Sequence, residues 1–313
     1  MPVLTISQLK RPNGKLHKQE LEIMNPLTLV NPINGNLAFR LITFDDGNYF
    51  DFAQRNNYYS LIWIGRGSGQ LRCDFSNYSF KGNTLFSFSP YQAFMFLSTQ
   101  GVMGVVIQFH PDFFCIHKHQ REVACNGVLF NNIYQPPFVV PDQLATSKLK
   151  LVVEQIQAEL INPGLAQYEL LVSYLKIFLI TASRLKTEQQ PKSWQSITRN
   201  KEPFVLQDLK DSIEKNFKAK HSPGDYARSL NISVKALAKL TKSHFNKTIT
   251  ELISERIIIE AKRELYLTNK AIKEIAYELG YEDEYYFSRF FKIHAEVSPQ
   301  LYRETVGFDR SSE

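Results

Sequence analysis

The chain has 313 residues, 43% hydrophobic and 22% charged, enough apolar side chain for more than one core, and a net charge of +6 that admits a nucleic-acid partner without requiring one. Its three cysteines, Cys73, Cys115 and Cys125, are an odd number, which favours reduced thiols over a disulfide framework. The most apolar stretch, residues 170–182, contains Lys176 and falls short of the roughly 20 apolar residues a membrane span needs; residues 1–10 show no basic leader followed by an apolar run, so a cytoplasmic location is expected.

Up to about residue 142 the chain favours strands, with β-branched and aromatic runs such as NYYSLIWI (57–64) and TLFSFS (84–89). The turn-forming groups DDGN (45–48) and GRGSG (65–69) punctuate them, so a sandwich or small barrel is expected. GRGSG lacks the Lys-Ser/Thr ending of a phosphate loop and no helical pattern follows it, so it is read as a tight turn between strands. After Pro141 the period changes to 3.6. Leu149, Val152, Val153, Ile156 and Leu160 line one helix face, and Asn162-Pro163-Gly164 stops it. A second helix over about 166–185 is apolar on more than one face and needs partners on two sides, which suggests that residues 143–186 form a dimerisation segment. The polar TEQQPKSWQSITRNKEP, residues 187–203, reads as a linker.

From residue 204 onward the pattern is helical and its caps are legible. Ser222-Pro223-Gly224-Asp225 has the form of a capping box with Pro at the first helical position, Thr248 and Glu251 repeat the device, and Ser298-Pro299 opens a last short helix. An internal repeat lies here. Ala227-x-x-Leu230-Asn231-Ile232 aligns with Ala276-x-x-Leu279-Gly280-Tyr281, and Leu237–Lys242 then aligns with Phe287–Lys292 after one inserted residue. Each copy reads as helix, tight turn, helix, with Asn231 or Gly280 in the left-handed conformation such a turn demands. Helical wheels of the two second helices put Leu237, Leu240 and His244, and Phe287, Phe290, Phe291 and His294, on inward faces. Lys235, Ala238, Lys239 and Lys242, and in the second copy Tyr285, Ser288, Arg289 and Lys292, face outward, where Lys, Arg and Ser can donate to phosphates and base edges. Charge is uneven between the copies. Residues 204–250 hold nine Lys and Arg against four acids, whereas residues 251–313 hold nine against thirteen.

The segments SERIIIEAKREL (254–265), AIKEIAYELGY (271–281), YFSRFFK (286–292) and SPQLYR (298–303) resemble, in order and spacing, the DNA-binding domain of the AraC/XylS family over residues 206–304. The resemblance implies two helix-turn-helix units joined by a long helix, with both recognition helices entering successive major grooves on one DNA face. A connector over 248–267 would run roughly 30 Å, near the pitch of the duplex. This chain departs from the family pattern at Thr241, where Phe is common, at Asn246 and Glu296, where Gly is common, and at Tyr285, where a small polar residue is common. Base preference therefore does not transfer.

The strand-rich half resembles the cupin-type sensor domain of that family through Gly65–Gly69, the Ser89-Pro90 pair and FHPDFF (109–114). Residues 50–100 contain no His, which disfavours a metal-dependent cupin enzyme. His110, Cys115, His117, His119 and Cys125 are candidate Zn or Cu ligands, but their spacing matches no common zinc module. Phe44, Tyr49, Phe50, Tyr58 and Trp63 suit either a ring-containing ligand or the core. The expected fold is thus α+β and multidomain: a cupin-like barrel over 1–142, the helical segment, the linker, and an all-α double helix-turn-helix domain over 204–304. The expected function is a sequence-specific transcription regulator that is not an enzyme and needs no cofactor. Its expected partners are double-stranded promoter DNA, a second copy of the chain, an unidentified small-molecule effector and, for an activator, RNA polymerase; no membrane association is expected. The alternatives are a metal-responsive regulator using His110, Cys115, His117 and His119, or a metal-dependent cupin enzyme fused to the DNA-binding helices.

Overall fold

The computed structural model describes residues 26–31, 35–54, 56–74, 76–189 and 202–306. The strand-rich half builds one antiparallel sheet from β1 (Leu27–Val30), β2 (Leu37–Phe44), β3 (Tyr59–Cys73), β4 (Ser76–Lys81), β5 (Thr84–Phe88), β6 (Phe94–Phe109) and β7 (Phe138–Val139). The order is β1-β2-β6-β3-β5-β7, with β4 on the far half of β3. Among the described residues this sheet rolls but does not close, since the end strands β1 and β7 do not pair with each other. β7 has two residues and follows Pro136-Pro137, whose missing N–H groups cannot extend a ladder.

Alternation along the central strands explains why they read as continuous apolar runs. Leu41, Leu61, Leu85 and Ile107 face one core, while their neighbours Ile42, Ile62, Phe86 and Val106 face another. The second core lies inside the roll and is filled by phenylalanines. The first is covered by the hairpin of α2 (Gln143–Ile161) and α3 (Gln167–Glu188), so both sheet faces are buried. Phe44 and Phe50 are core residues, and Trp63 donates its indole N–H to Asn83.

The glycine-rich GRGSG is not a turn between strands. It lies within β3, where the register against β6 shifts on both sides of Arg66. Gly67 has φ +93°, and a Cβ there would stand 2.4 Å from the Gly101 carbonyl oxygen of the neighbouring strand, so two glycines allow the strands to cross closely and bend.

Residues 190–201, most of the expected linker, lie outside the described residues. The helical half follows as α4 (Glu202–Asn216), α5 (Pro223–Ser229), α6 (Val234–Phe245), α7 (Ile249–Leu267), α8 (Ile272–Glu278), α9 (Glu284–Ala295) and α10 (Pro299–Val306), around a core of its own. A four-residue helical turn, α1 (Gln120–Val123), follows the sheet's last long strand, and a 3-10 turn at Gly47–Phe50 follows β2. The three cysteines are buried free thiols.

Candidate nucleic-acid interface

The interface is built by turns that the sequence spells out. Ser233 caps α6 by accepting from the Ala236 amide, and Asp283 caps α9 by accepting from the Tyr285 amide. Thr248 and Glu251 form the reciprocal capping box of α7. The cap of α5 differs from expectation: Ser222 accepts from Gly224, and Asp225 turns outward to Arg228 at 2.6 Å instead of closing a box. Asn231 and Gly280 occupy the left-handed region with φ of 52° and 83°, and so do Asn246 and Glu296 at the helix ends. Gly280 has a second reason to lack a side chain, because a Cβ there would lie 2.0 Å from the Lys218 carbonyl oxygen.

Each recognition helix buries one stripe. In α6 it runs Leu237, Thr241, Phe245; in α9 it runs Phe287, Phe291, Ala295. The fourfold spacing repeats at an offset of 50, and Thr241 occupies the place of Phe291 with its hydroxyl donating to the Ala238 carbonyl. His244 does not face inward as expected. It lies one position off this stripe and is exposed, whereas its counterpart His294 is half-buried and stacks near Phe290 at 4.4 Å.

On the opposite faces Lys235, Ala238, Lys239 and Lys242 are exposed on α6, and Tyr285, Arg289 and Lys292 on α9 with Ser288 partly so. Lys242 reaches the Asn246 carbonyl at 3.2 Å, which adds a cation to the end of α6. Two exposed apolar side chains on α9, Tyr286 and Ile293, were not singled out from sequence. Ile293 stands four residues beyond Arg289, on the same side, where an aliphatic group can meet thymine methyls. A charged-residue filter misses it.

The connector α7 spans 19 residues, roughly 28 Å. Buried Glu260 ties it down, accepting from Arg256 at 3.0 Å and Arg263 at 2.9 Å, while Arg256 reaches back to Glu214 of α4 and lies 3.9 Å over the Phe217 ring. The two helix-turn-helix units thereby share one rigid axis. Not all nine cations of the first unit serve DNA. Lys247 is buried against Glu255 at 2.7 Å, and burial beside Tyr134 and Phe245 pulls Lys210 down to about 8.

The His/Cys residues do not converge. His110 bonds to the Thr305 carbonyl, His119 stacks on Phe114 and pairs with Glu122, and His117 is near Asn126 and Tyr266. Among the described residues no group of three or more His, Cys, Asp or Glu is placed to hold a metal ion. No described helix is long and apolar enough to cross a membrane.

Residues 226–305 match the model of the helix-turn-helix domain family. The chain is 30% identical over 95 residues to the raffinose operon transcriptional regulatory protein RafR of Pediococcus pentosaceus, a match covering 30% of this chain and 34% of that protein. It thus spans about a third of that relative's length. It is 24% identical over 259 residues to the HTH-type transcriptional regulator YfiF of Bacillus subtilis, covering 82% of this chain and 80% of the relative. Among solved structures, an apo point variant of ToxT from Vibrio cholerae aligns over 87% of this chain and 99% of its own, with 20% identity and a TM-score of 0.39. Residues 226–305 thus form a helix-turn-helix domain of the AraC type, and the relatives to which the chain is similar are named as transcriptional regulators.

Proposed function

We propose that the chain binds promoter DNA sequence-specifically through both helix-turn-helix units and that its amino-terminal half makes this binding responsive to a small molecule. The observation that carries the reading is the pair of exposed basic faces, Lys235/Lys239/Lys242 on α6 and Arg289/Lys292 on α9, set on helices that share the connector α7. Residues 1–142 act as a cupin-type sensor, 143–186 pair two copies, 187–203 link the halves, and 204–304 bind DNA. Exposed Leu144, Leu151, Ile161 and Ile177 on the hairpin support the pairing role. Such a regulator works in the cytoplasm without catalysis and, as an activator, contacts RNA polymerase. Mapping its binding sites across its native genome and titrating one of them against a scrambled duplex tests the reading. A strong preference for the mapped site is expected; equal affinity for both duplexes would overturn it.

A further inference from the structure

The two halves of the chain meet along a seam in which Lys262 and Tyr266 of α7 donate to the Pro90 and Pro111 carbonyls at 2.9 and 3.3 Å, and Lys247 to the Ile133 carbonyl at 3.2 Å. The outward stripe of α9 takes no part in these contacts. It runs Tyr285, Arg289, Ile293, at the fourfold spacing of the buried stripe Phe287, Phe291, Ala295 and on the opposite side of the helix. Tyr285 and Ile293 are each 73% exposed.

The internal repeat shows what this stripe replaces. At the offset of 50 the same positions on α6 are Lys235, Lys239 and Ser243, all exposed, and the Ser243 hydroxyl bonds to the Leu240 carbonyl of its own helix. Where the first recognition helix presents two ammonium groups and a hydroxyl, the second presents one guanidinium between an aromatic ring and a branched aliphatic chain. Neither packing nor helix formation accounts for the exchange. Side chains this exposed gain little from burial, and Ile and Tyr are poorer helix formers than the Lys, Arg and Ala that occupy other outward positions of these helices.

Continuity with the basic face selects the occupant. Arg289 stands between the two apolar groups and exposed Lys292 lies beside them, so a partner must satisfy a cationic fork and apolar side chains within one strip about 12 Å long. An apolar protein groove would take Arg289 out of water without pairing it. A major groove offers both chemistries: guanine presents two acceptors to an arginine fork, and the C5-methyl of thymine is an apolar contact on the same floor. The acidic run Glu282-Asp283-Glu284 repels phosphates at the start of α9, which leaves this helix dependent on the bases. Four residues of helix rise about 6 Å and base pairs stack about 3.4 Å apart, so groups four residues on either side of Arg289 fall about two base pairs from it.

We propose that Tyr285 and Ile293 are specificity-determining residues that read thymine C5-methyl groups on either side of a guanine bound by Arg289. The inference rests on the regulator reading above and names the base chemistry that its second recognition helix selects.

In the test, the full chain enriches its preferred duplex from a random library, and each thymine of that duplex is then replaced singly by deoxyuridine, which removes the C5-methyl and nothing else. Two positions, one on each side of a guanine to which Arg289→Ala becomes indifferent, should each lose about three- to fivefold in affinity. Ile293→Ala should bind the thymine and uracil forms of one position equally and keep the penalty at the other; Tyr285→Ala should do the reverse, and Ile293→Val should retain both. Leu301→Ala, which removes an exposed leucine of α10, should alter none of these ratios. The deoxyuridine series on the unsubstituted chain is decisive even where a variant fails to fold. Fewer than two methyl-sensitive thymines, or a uracil penalty that persists in the alanine variant assigned to it, overturns the inference. So do alanine variants that keep full DNA affinity and instead change the sedimentation of the chain, which would make the stripe a protein contact. A chain that enriches a sequence without methyl-sensitive positions loses the inference and keeps the regulator reading. One that enriches no sequence loses that reading and the inference with it.

Discussion

Arg289 and Lys242 occupy equivalent outward faces of the two recognition helices, yet their surroundings assign them different work. Lys242 shares its face with exposed Lys235 and Lys239, so in the proposed DNA complex it would add to a diffuse field that draws phosphates and releases counterions. Arg289 follows the acidic run Glu282-Asp283-Glu284 and neighbours exposed Tyr285 and Ile293, so its planar fork is suited to a base edge. Arg289→Ala should cost about 1–3 kcal/mol on the specific site and little on scrambled DNA, whereas Lys242→Ala should weaken both and reduce the salt slope by about one. Titrations of both variants at several salt concentrations check this; equal losses on the two duplexes for Arg289→Ala would refute the division. His117 carries a separate residue-scale expectation. Burial, reinforced by the Arg263 charge, lowers it from an ordinary 6.5 to about 4. In the folded chain it stays neutral while the unfolded chain already takes a proton, so its contribution is whole above 6.5 and drains away as pH falls towards 4. The urea midpoint of the parent should therefore drop between about pH 7.5 and 5 by more than that of His117→Gln. An unchanged gap between the two would count against a buried neutral imidazole.

At the level of elements, the second helix-turn-helix depends on one backbone position. Gly280 combines φ of 83° with backbone contact to Lys218, in the segment between α4 and α5. Gly280→Ala adds roughly 1–2 kcal/mol of left-handed strain, and its methyl must also displace that segment. Asn231, the same turn in the first unit, is already a side-chain-bearing residue at φ 52°, so Asn231→Ala should be the milder change. Thermal melts of the two variants rank them; the opposite order would refute the close-approach argument. The α2–α3 hairpin is apolar on two faces, as its sequence suggested, but only one is covered by the sheet. Leu151→Glu with Ile177→Glu, both at exposed positions, should shift the full chain from dimer to monomer in sedimentation at micromolar concentration without lowering its melting temperature. A monomeric parent would dispose of the pairing role.

For the molecule as a whole, the seam couples the halves through charges removed from water. Lys247 and Glu255 are almost fully buried side by side, so removing one strands the other. Lys247→Met should destabilise the chain by about 3–5 kcal/mol, and replacing both residues together by Met and Leu should recover much of that loss. Calorimetry on the single and double variants decides it: a double variant no more stable than the single would mean that the pair does not act as a unit. The single variant should also free the DNA-binding domain from the Ile133 carbonyl, which faster amide exchange in the 131–135 segment would report.

The helical third was legible residue by residue because its information is local. Caps, left-handed turn residues and a repeated stripe are written within a few positions of where they act, and chain connectivity does the rest; even Glu296, unusual at its left-handed cap, is held by the turn around it. The sheet half was legible only as strands. Whether a rolled sheet closes depends on how its end strands meet, a long-range property that no window of sequence contains, and GRGSG looked like a turn because its glycines answer to a neighbouring strand far along the chain. His244 moved outward because packing selected the 237–241–245 stripe over the adjacent one. The seam was wholly a tertiary decision. Ser89-Pro90 and FHPDFF stood out in the sequence as sensor-domain motifs, but that Pro90, His110 and Pro111 would receive Lys262, Thr305 and Tyr266 required two separately coded domains to dock, because a buried polar group is tolerated only where the opposite surface supplies its partner.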